Sequence, residues 1–142
     1  MDSKALESLM IPMDNLEITT EGLFDKLKEK KAQRRQHEID CQNLLPKIET
    51  ELKKIVSSYK PKYKNVKISP YYYTDKLDCS VGVELFNYNK LLDQDDSVID
   101  SANNITDEIY ELVVKFAKDN KYTGFTFKAE VPDNCCIDIK IL

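Results

Sequence analysis

Residues 96–142 decide the fold of this chain, and they read DSVIDSANNITDEIYELVVKFAKDNKYTGFTFKAEVPDNCCIDIKIL. In the first half of this stretch, apolar residues recur at steps of three and four, which places them on one face of a helix. They are Val98, Ala102, Ile105, Ile109, Leu112, Val113, Phe116 and Ala117. After Asn120 the apolar period changes to two, as it does in strands that bury one face. The stretch therefore predicts a helix from Ser97 to Asn120 and a two-stranded hairpin that packs against it.

The hairpin consists of two alternating runs, residues 125–130 and 135–141. Between them, residues 131–134 (VPDN) are typical of a type I turn, with proline in the second position. Of the neighbouring cysteines in the second run, the alternation directs Cys135 inward and Cys136 outward.

Two more strands are predicted upstream. Alternating Cys79, Val81, Val83 and Leu85 indicate one of them. The other is predicted over residues 63–68, as an edge strand or as a strand with a bulge, because the nearby Pro70 cannot donate to a sheet ladder. Tyr71, Tyr72 and Tyr73 follow, and three consecutive tyrosines cannot all face inward on a strand. At least one is expected at the surface, either as part of a binding site or as a cap on the sheet edge.

The N-terminal half predicts helices. Cys41, Leu45, Ile48, Leu52, Ile55 and Tyr59 follow one another at alternating steps of four and three. Pro46 interrupts this pattern, and proline is tolerated only in the first turn of a helix. We therefore expect two helices, over about residues 20–41 and 43–58, with a break or kink between them. They either pack on the sheet or form an arm used for dimerisation.

Together these patterns predict an α+β protein. Its two-layer domain has a four-stranded antiparallel sheet covered on one face by helices, in the order α-α-β-β-α-β-β. We assign residues 1–42 to an N-terminal segment and charged helical arm, and residues 43–142 to the α+β domain.

Charge is divided between the two halves of the chain. Residues 1–68 hold 14 lysines and arginines against 11 acids, whereas residues 69–142 hold 7 against 14. The basic excess concentrates in a patch formed by Lys26, Lys30, Lys31, Arg34 and Arg35. This patch is either a solvated helical surface or a contact for phosphates or an acidic protein.

Carboxylates gather in the second half. Asp93, Asp95 and Asp96 resemble the start of a calcium loop, but the sixth and twelfth positions of an EF-hand fall on Val98 and Asn104 instead of glycine and glutamate. We interpret them as the cap of the long helix. The predicted protein-binding residues are Tyr71, Tyr72, Tyr73, Asp93, Asp95, Asp96, Asp107, Glu108 and Glu111.

No catalytic, metal or cofactor site is predicted. The chain has four cysteines in no C-x-x-C spacing and a single histidine, His37, so zinc ligands are lacking. No nucleophile–base motif or phosphate-binding loop is present, and we do not expect an enzyme. No apolar run is long enough for a membrane span and the first residues do not read as a secretory signal, so we expect a cytoplasmic protein with no membrane partner.

These observations predict a small acidic cytoplasmic protein-binding module that acts as an adaptor or inhibitor. Frequent lysine, asparagine and isoleucine suit an AT-rich genome, so one version is a phage or mobile-element protein that blocks a nucleic-acid-binding host protein. One alternative is a dimeric protein similar to secretion chaperones, which combine helices and an antiparallel sheet in a loosely similar order. The other is nucleic-acid binding through residues 26–35, although the acidic half of the chain makes a nucleic-acid partner unfavourable.

Overall fold

A computed structural model describes the backbone of residues 16–142 and the side chains of residues 22–142. The first fifteen residues of the predicted N-terminal segment lie outside the described part. The elements are α1 (Leu16–Ser58), β1 (Tyr71–Asp75), β2 (Ser80–Glu84), a short α2 (Tyr88–Leu91), α3 (Asp96–Lys118), β3 (Phe127–Glu130) and β4 (Cys136–Ile141). Helices and four strands in this order confirm the predicted α+β class.

The four strands form one antiparallel sheet in the order β1-β2-β4-β3. Alternate residues of β2 and β4 face the helices, and Val81, Val83, Ile137 and Ile139 are fully buried there. Helix α3 packs on β3 and β4. Its predicted apolar face is confirmed at its centre, since Ile105 and Ile109 are also fully buried in the same core.

The predicted break at Pro46 is wrong, because α1 continues through the proline as a single helix. The predicted N-terminal helix and its neighbour are therefore one element. Buried residues lie on both sides of the proline, at Leu44 and Leu45 before it and at Ile48 and Leu52 after it. Pro46 itself is exposed, so the carbonyl that lacks a partner one turn earlier can be solvated. Packing of the apolar face thus outweighs the local preference to end the helix.

The chain divides into two compact units between Ile39 and Asp40. In the first unit, every side chain described, from Gly22 to Ile39, is exposed. The second unit contains the sheet and the buried core. In the part of the chain that the structure describes, no helix is both long and apolar enough to cross a membrane.

Two local predictions about strands and turns are wrong. Residues 63–68 are irregular. The edge strand is instead β1, which begins directly after Pro70 and pairs with β2 through Tyr71–Asp75. The hydrogen-bonded turn of the second hairpin lies two residues later than predicted, where the Cys136 N–H donates to the Asp133 carbonyl at 3.2 Å. Cys135 takes a φ of +60° in this turn, so the reversal occurs at the cysteine rather than at Pro132.

The predicted start of the long helix is confirmed. Asp95 is the N-cap of α3, and its carboxylate accepts hydrogen bonds from the Val98 N–H at 3.1 Å and from the Ser97 hydroxyl at 2.6 Å. These bonds satisfy donors at the first turn that have no partner inside the helix.

We expect Pro46→Ala to raise the free energy of unfolding by about 1–2 kcal/mol. Alanine restores the missing hydrogen bond and removes the ring clash, and the more flexible unfolded chain offsets part of that gain. Urea unfolding followed by circular dichroism measures the change. Lys47→Ala, at the next exposed position, is the control and should stay within about 0.5 kcal/mol of wild type. Unchanged or lower stability in Pro46→Ala would contradict a helix that is continuous at residue 46.

Candidate functional site

Helix α3 presents a row of carboxylates on its exposed side. Asp96, Asp100, Asp107 and Glu111 are exposed and are separated by steps of four, seven and four residues, which places them on one helical face. At 1.5 Å per residue, this face extends over about 22 Å. We call these four residues the acidic stripe. Asp100 was not among the protein-binding residues predicted from the sequence. Its position four residues after Asp96 could have placed it on the same helical face.

The other predicted carboxylates are engaged elsewhere. Asp95 caps α3, and its hydrogen bonds with Ser97 and Val98 lower the pKa of its carboxyl group. Glu108 accepts a hydrogen bond from the Tyr59 hydroxyl and lies 3.8 Å from the Lys62 ammonium. The structure therefore groups Asp96, Asp107 and Glu111 and directs Glu108 to its own partners.

Asp93 is exposed in the turn before α3 and belongs to neither group. Glu49, Glu51, Glu108 and Glu130 form ion pairs with lysines, whereas no member of the acidic stripe takes part in an ion pair among the described residues. Residues 40–142 hold 14 lysines and arginines against 17 acids, a net charge of −3. The four carboxylates of the acidic stripe are included in this count, and without them the unit would hold 13 acids against 14 lysines and arginines. The stripe therefore accounts for the negative net charge of this unit.

The three consecutive tyrosines alternate between the two faces of β1. Tyr71 is 67% exposed, as predicted for at least one of them. Tyr72 is half-buried against the core, and the Lys53 ammonium lies 5.3 Å from the centre of its ring. Tyr73 faces outward and donates a hydrogen bond to Asp138 Oδ1 at 2.5 Å. The structure thus separates the three rings instead of forming one tyrosine cluster.

Gly82 lies beneath the bond between Tyr73 and Asp138. A Cβ atom at this position would lie 2.3 Å from the Tyr73 ring and 2.2 Å from Asp138 Oδ1, so only glycine allows the ring to cross β2. Burial raises the pKa of the Asp138 carboxyl, while the hydrogen bond from Tyr73 opposes the shift. Tyr73 and Asp138 are therefore each other's hydrogen-bond partners. Tyr71 is the tyrosine of the three whose ring is exposed to solvent.

The predicted basic patch lies on α1 in the first unit, where Lys26, Lys30, Lys31, Arg34 and Arg35 are all exposed. Exposed apolar side chains lie at its N-terminal end: Leu23 is 49% exposed, Phe24 60% and Leu27 53%. Spacings of three and four residues bring these three side chains together on the helix surface. We call them the apolar patch.

None of the four cysteines, all of which lie in the described part of the chain, forms a disulfide, and Cys41, Cys79 and Cys135 are buried. Cys136 is half-buried. Burial, followed by the nearby carboxylates of Glu84, Asp133 and Asp138, raises its pKa to about 11. The thiolate is the form of cysteine that acts as a nucleophile or metal ligand, so Cys136 is a poor nucleophile and a poor metal ligand at neutral pH. Among the side chains of residues 22–142, no group of three or more His, Cys, Asp or Glu residues could hold a metal ion.

In comparisons with protein-family models, with curated proteins and with solved structures, no match to this chain was found.

We expect Cys136 to react slowly with iodoacetamide at neutral pH, at a rate that rises about tenfold per pH unit from pH 8 towards its pKa of about 11. For an ordinary cysteine, with a pKa of about 8.5, the reaction rate would stop rising at a much lower pH. Mass spectrometry of the peptide carrying both Cys135 and Cys136, with fragmentation to separate them, gives the rate for each thiol.

Glu84→Gln is the matched variant for this measurement. It removes one of the carboxylates that raise the pKa of Cys136, so it should increase the rate at pH 8. A rate that levels off by about pH 9.5, as expected for an ordinary pKa of about 8.5, would contradict the raised pKa.

Proposed function

We propose that this chain is a protein-binding module that acts in the cytoplasm as an adaptor or inhibitor, by presenting the acidic stripe to a basic surface of another protein. The observation that carries the proposal is the alignment of four exposed carboxylates along one face of α3. Such a row matches a surface that displays lysines and arginines, and complementary charge accelerates association and selects partners.

The acidic stripe is held in place by the opposite face of the same helix. Ala102, Ile105, Ile109 and Val113 are fully buried against the core. Buried residues on one face fix the rotation of the helix, and hence the direction of the carboxylates on the other. The stripe is therefore preorganised, which reduces the entropy lost when a partner binds.

A basic surface that binds nucleic acid is the kind of partner that this row of charges fits best. Double-stranded nucleic acids present rows of regularly spaced negative charges, and proteins bind them with clustered lysine and arginine side chains. Carboxylates aligned over about 22 Å can occupy such a cluster and exclude the nucleic acid. The inhibitor version of the function follows from this competition, and a phage or mobile-element origin is consistent with it.

The test neutralises the stripe with Asp96→Asn, Asp100→Asn, Asp107→Asn and Glu111→Gln in one variant. Wild type and variant are immobilised and exposed to a lysate of a low-GC bacterium, and bound proteins are quantified by mass spectrometry. We expect basic nucleic-acid-binding proteins on wild type and at least a tenfold loss on the variant, because each exposed charge pair contributes a few tenths to one kcal/mol. Binding should also weaken as salt is added.

A control variant carries the same change in net charge at other exposed sites: Glu38→Gln, Asp78→Asn, Asp119→Asn and Asp133→Asn. It should keep the partners that the stripe variant loses. Equal loss from both variants would mean that only net charge matters. Retention by the stripe variant would show that the stripe is not the binding surface.

We also propose that two copies of the chain associate through the apolar patch on α1. Three large apolar side chains, each about half exposed, form a contiguous surface, and pairing two helices removes such a surface from water. A dimer would display two acidic stripes and bind a repeated partner surface more tightly than one copy does.

Leu23→Ser, Phe24→Ser and Leu27→Ser, combined in the full-length chain, should convert a dimer into a monomer. Size exclusion coupled to light scattering measures the mass. The control variant replaces three other exposed apolar residues, with Leu77→Ser, Leu92→Ser and Val131→Ser, and should remain dimeric. A wild-type chain that is monomeric at all concentrations would exclude this mode of association.

A further inference from the structure

A cleft of about 740 Å³ lies in the second unit, beside the point where β1 begins and β2 ends. Its walls come from the irregular segment at residues 65–69, the end of β2, helix α2 and the start of α3. Its volume is within the range of about 300–1,000 Å³ that is usual for small-molecule sites. No residue of the acidic stripe lines this cleft.

The charge of the cleft is opposite to that of the surrounding chain. Lys67 and Lys90 line it against a single carboxylate, that of Glu84. Over the whole second unit, residues 40–142, acids by contrast outnumber lysines and arginines by 17 to 14. Two ammonium groups in one concave site favour an anion, because they donate charge-assisted hydrogen bonds.

The cleft also offers an aromatic ring and an apolar floor. Tyr71 lines it with a ring that is 67% exposed, while Phe86 and Leu91 line it and are 3% and 5% exposed. A large exposed ring next to a buried apolar surface provides a face on which another planar group can stack.

Amide side chains both build the walls and leave hydrogen-bonding groups available. Asn87 Oδ1 accepts from the Lys90 N–H at 3.2 Å, which leaves its NH₂ group as a donor. Asn65 Nδ2 donates to the Ser97 carbonyl at 3.3 Å, which leaves its oxygen as an acceptor. Gln94 lines the same cleft. These bonds tie the irregular segment to α3 and cap α2, so the walls are formed before a ligand arrives.

We propose that this cleft binds a small phosphomonoester that carries a planar ring, of the mononucleotide class. The phosphate lies against Lys67 and Lys90, the ring stacks on Tyr71, and the amides of Asn65, Asn87 and Gln94 contact the polar edge of the ring. The site is separate from protein binding through the acidic stripe, and either can be present without the other.

The probes are AMP, UMP and phenyl phosphate, titrated into the full-length chain by calorimetry and by ¹H–¹⁵N NMR at fixed ionic strength. Adenosine, which lacks the phosphate, and inorganic phosphate, which lacks the ring, are the comparison ligands and should each bind at least tenfold more weakly than AMP. Tighter binding of the nucleotides than of phenyl phosphate assigns a role to the amides. If phenyl phosphate binds as tightly as both nucleotides, the mononucleotide class is wrong.

Single substitutions separate the contacts. Lys67→Gln and Lys90→Gln should each weaken AMP binding about tenfold, the usual size of a lost charge-assisted contact. Glu84→Gln should strengthen it, because the carboxylate repels the phosphate. Tyr71→Phe should retain binding and Tyr71→Ala should weaken it, because stacking needs the ring and not the hydroxyl.

Lys118→Gln is the control, since it removes one exposed lysine at the other end of α3 and should leave AMP binding unchanged. The proposal is overturned if no probe binds at millimolar concentration. It is also overturned if Lys118→Gln weakens binding as much as Lys67→Gln does, or if the NMR shifts map away from the cleft.

Discussion

The packing of helix side chains against the inner face of the sheet is the interaction on which the rest of this structure depends. Ile48 and Leu52 of α1, Ile109 of α3 and Ile137 and Ile139 of β4 all have no exposed surface. Truncation of a single side chain of this kind costs about 2–5 kcal/mol, a large part of the total stability of a small domain. The same packing carries α1 through Pro46 as a single helix, which no local preference would do.

One-sided packing also determines which surfaces are available. Because α3 buries one face, its carboxylates must occupy the other. On the outer face of the sheet, Tyr73 and Asp138 join across Gly82 and take up each other's hydrogen-bonding capacity. Tyr71, two residues earlier on the same strand, has no such role and lines the lysine-containing cleft. The sheet therefore has one outward tyrosine used for structure and another available for contact.

The elements that could be predicted from the sequence are those determined by residues close to one another in the chain. The helix at α3, the strands at β2 and β4, and the cap at Asp95 each follow from a period or from a side chain within a few residues of the bond it makes. The misplaced edge strand and the break at Pro46 were errors of the opposite kind, since both depend on what a segment packs against. The cleft could not be predicted at all, because Lys67 and Lys90 are 23 residues apart in sequence and come to line one cleft only through the tertiary fold.

The positions of the charged residues on α3 distinguish those that stabilise the helix from those that do not. Asp96 lies in the first turn, where its charge favours the positive end of the helix dipole, and Lys115 and Lys118 lie in the last turn, at the negative end. That effect fades within one turn of each end, so it does not account for Asp107 and Glu111. Neither of these two residues caps the helix or takes part in an ion pair of the described structure. Because folding gains little from them, Asp107 and Glu111 are the two members of the acidic stripe on which the proposed contact with a partner depends most directly.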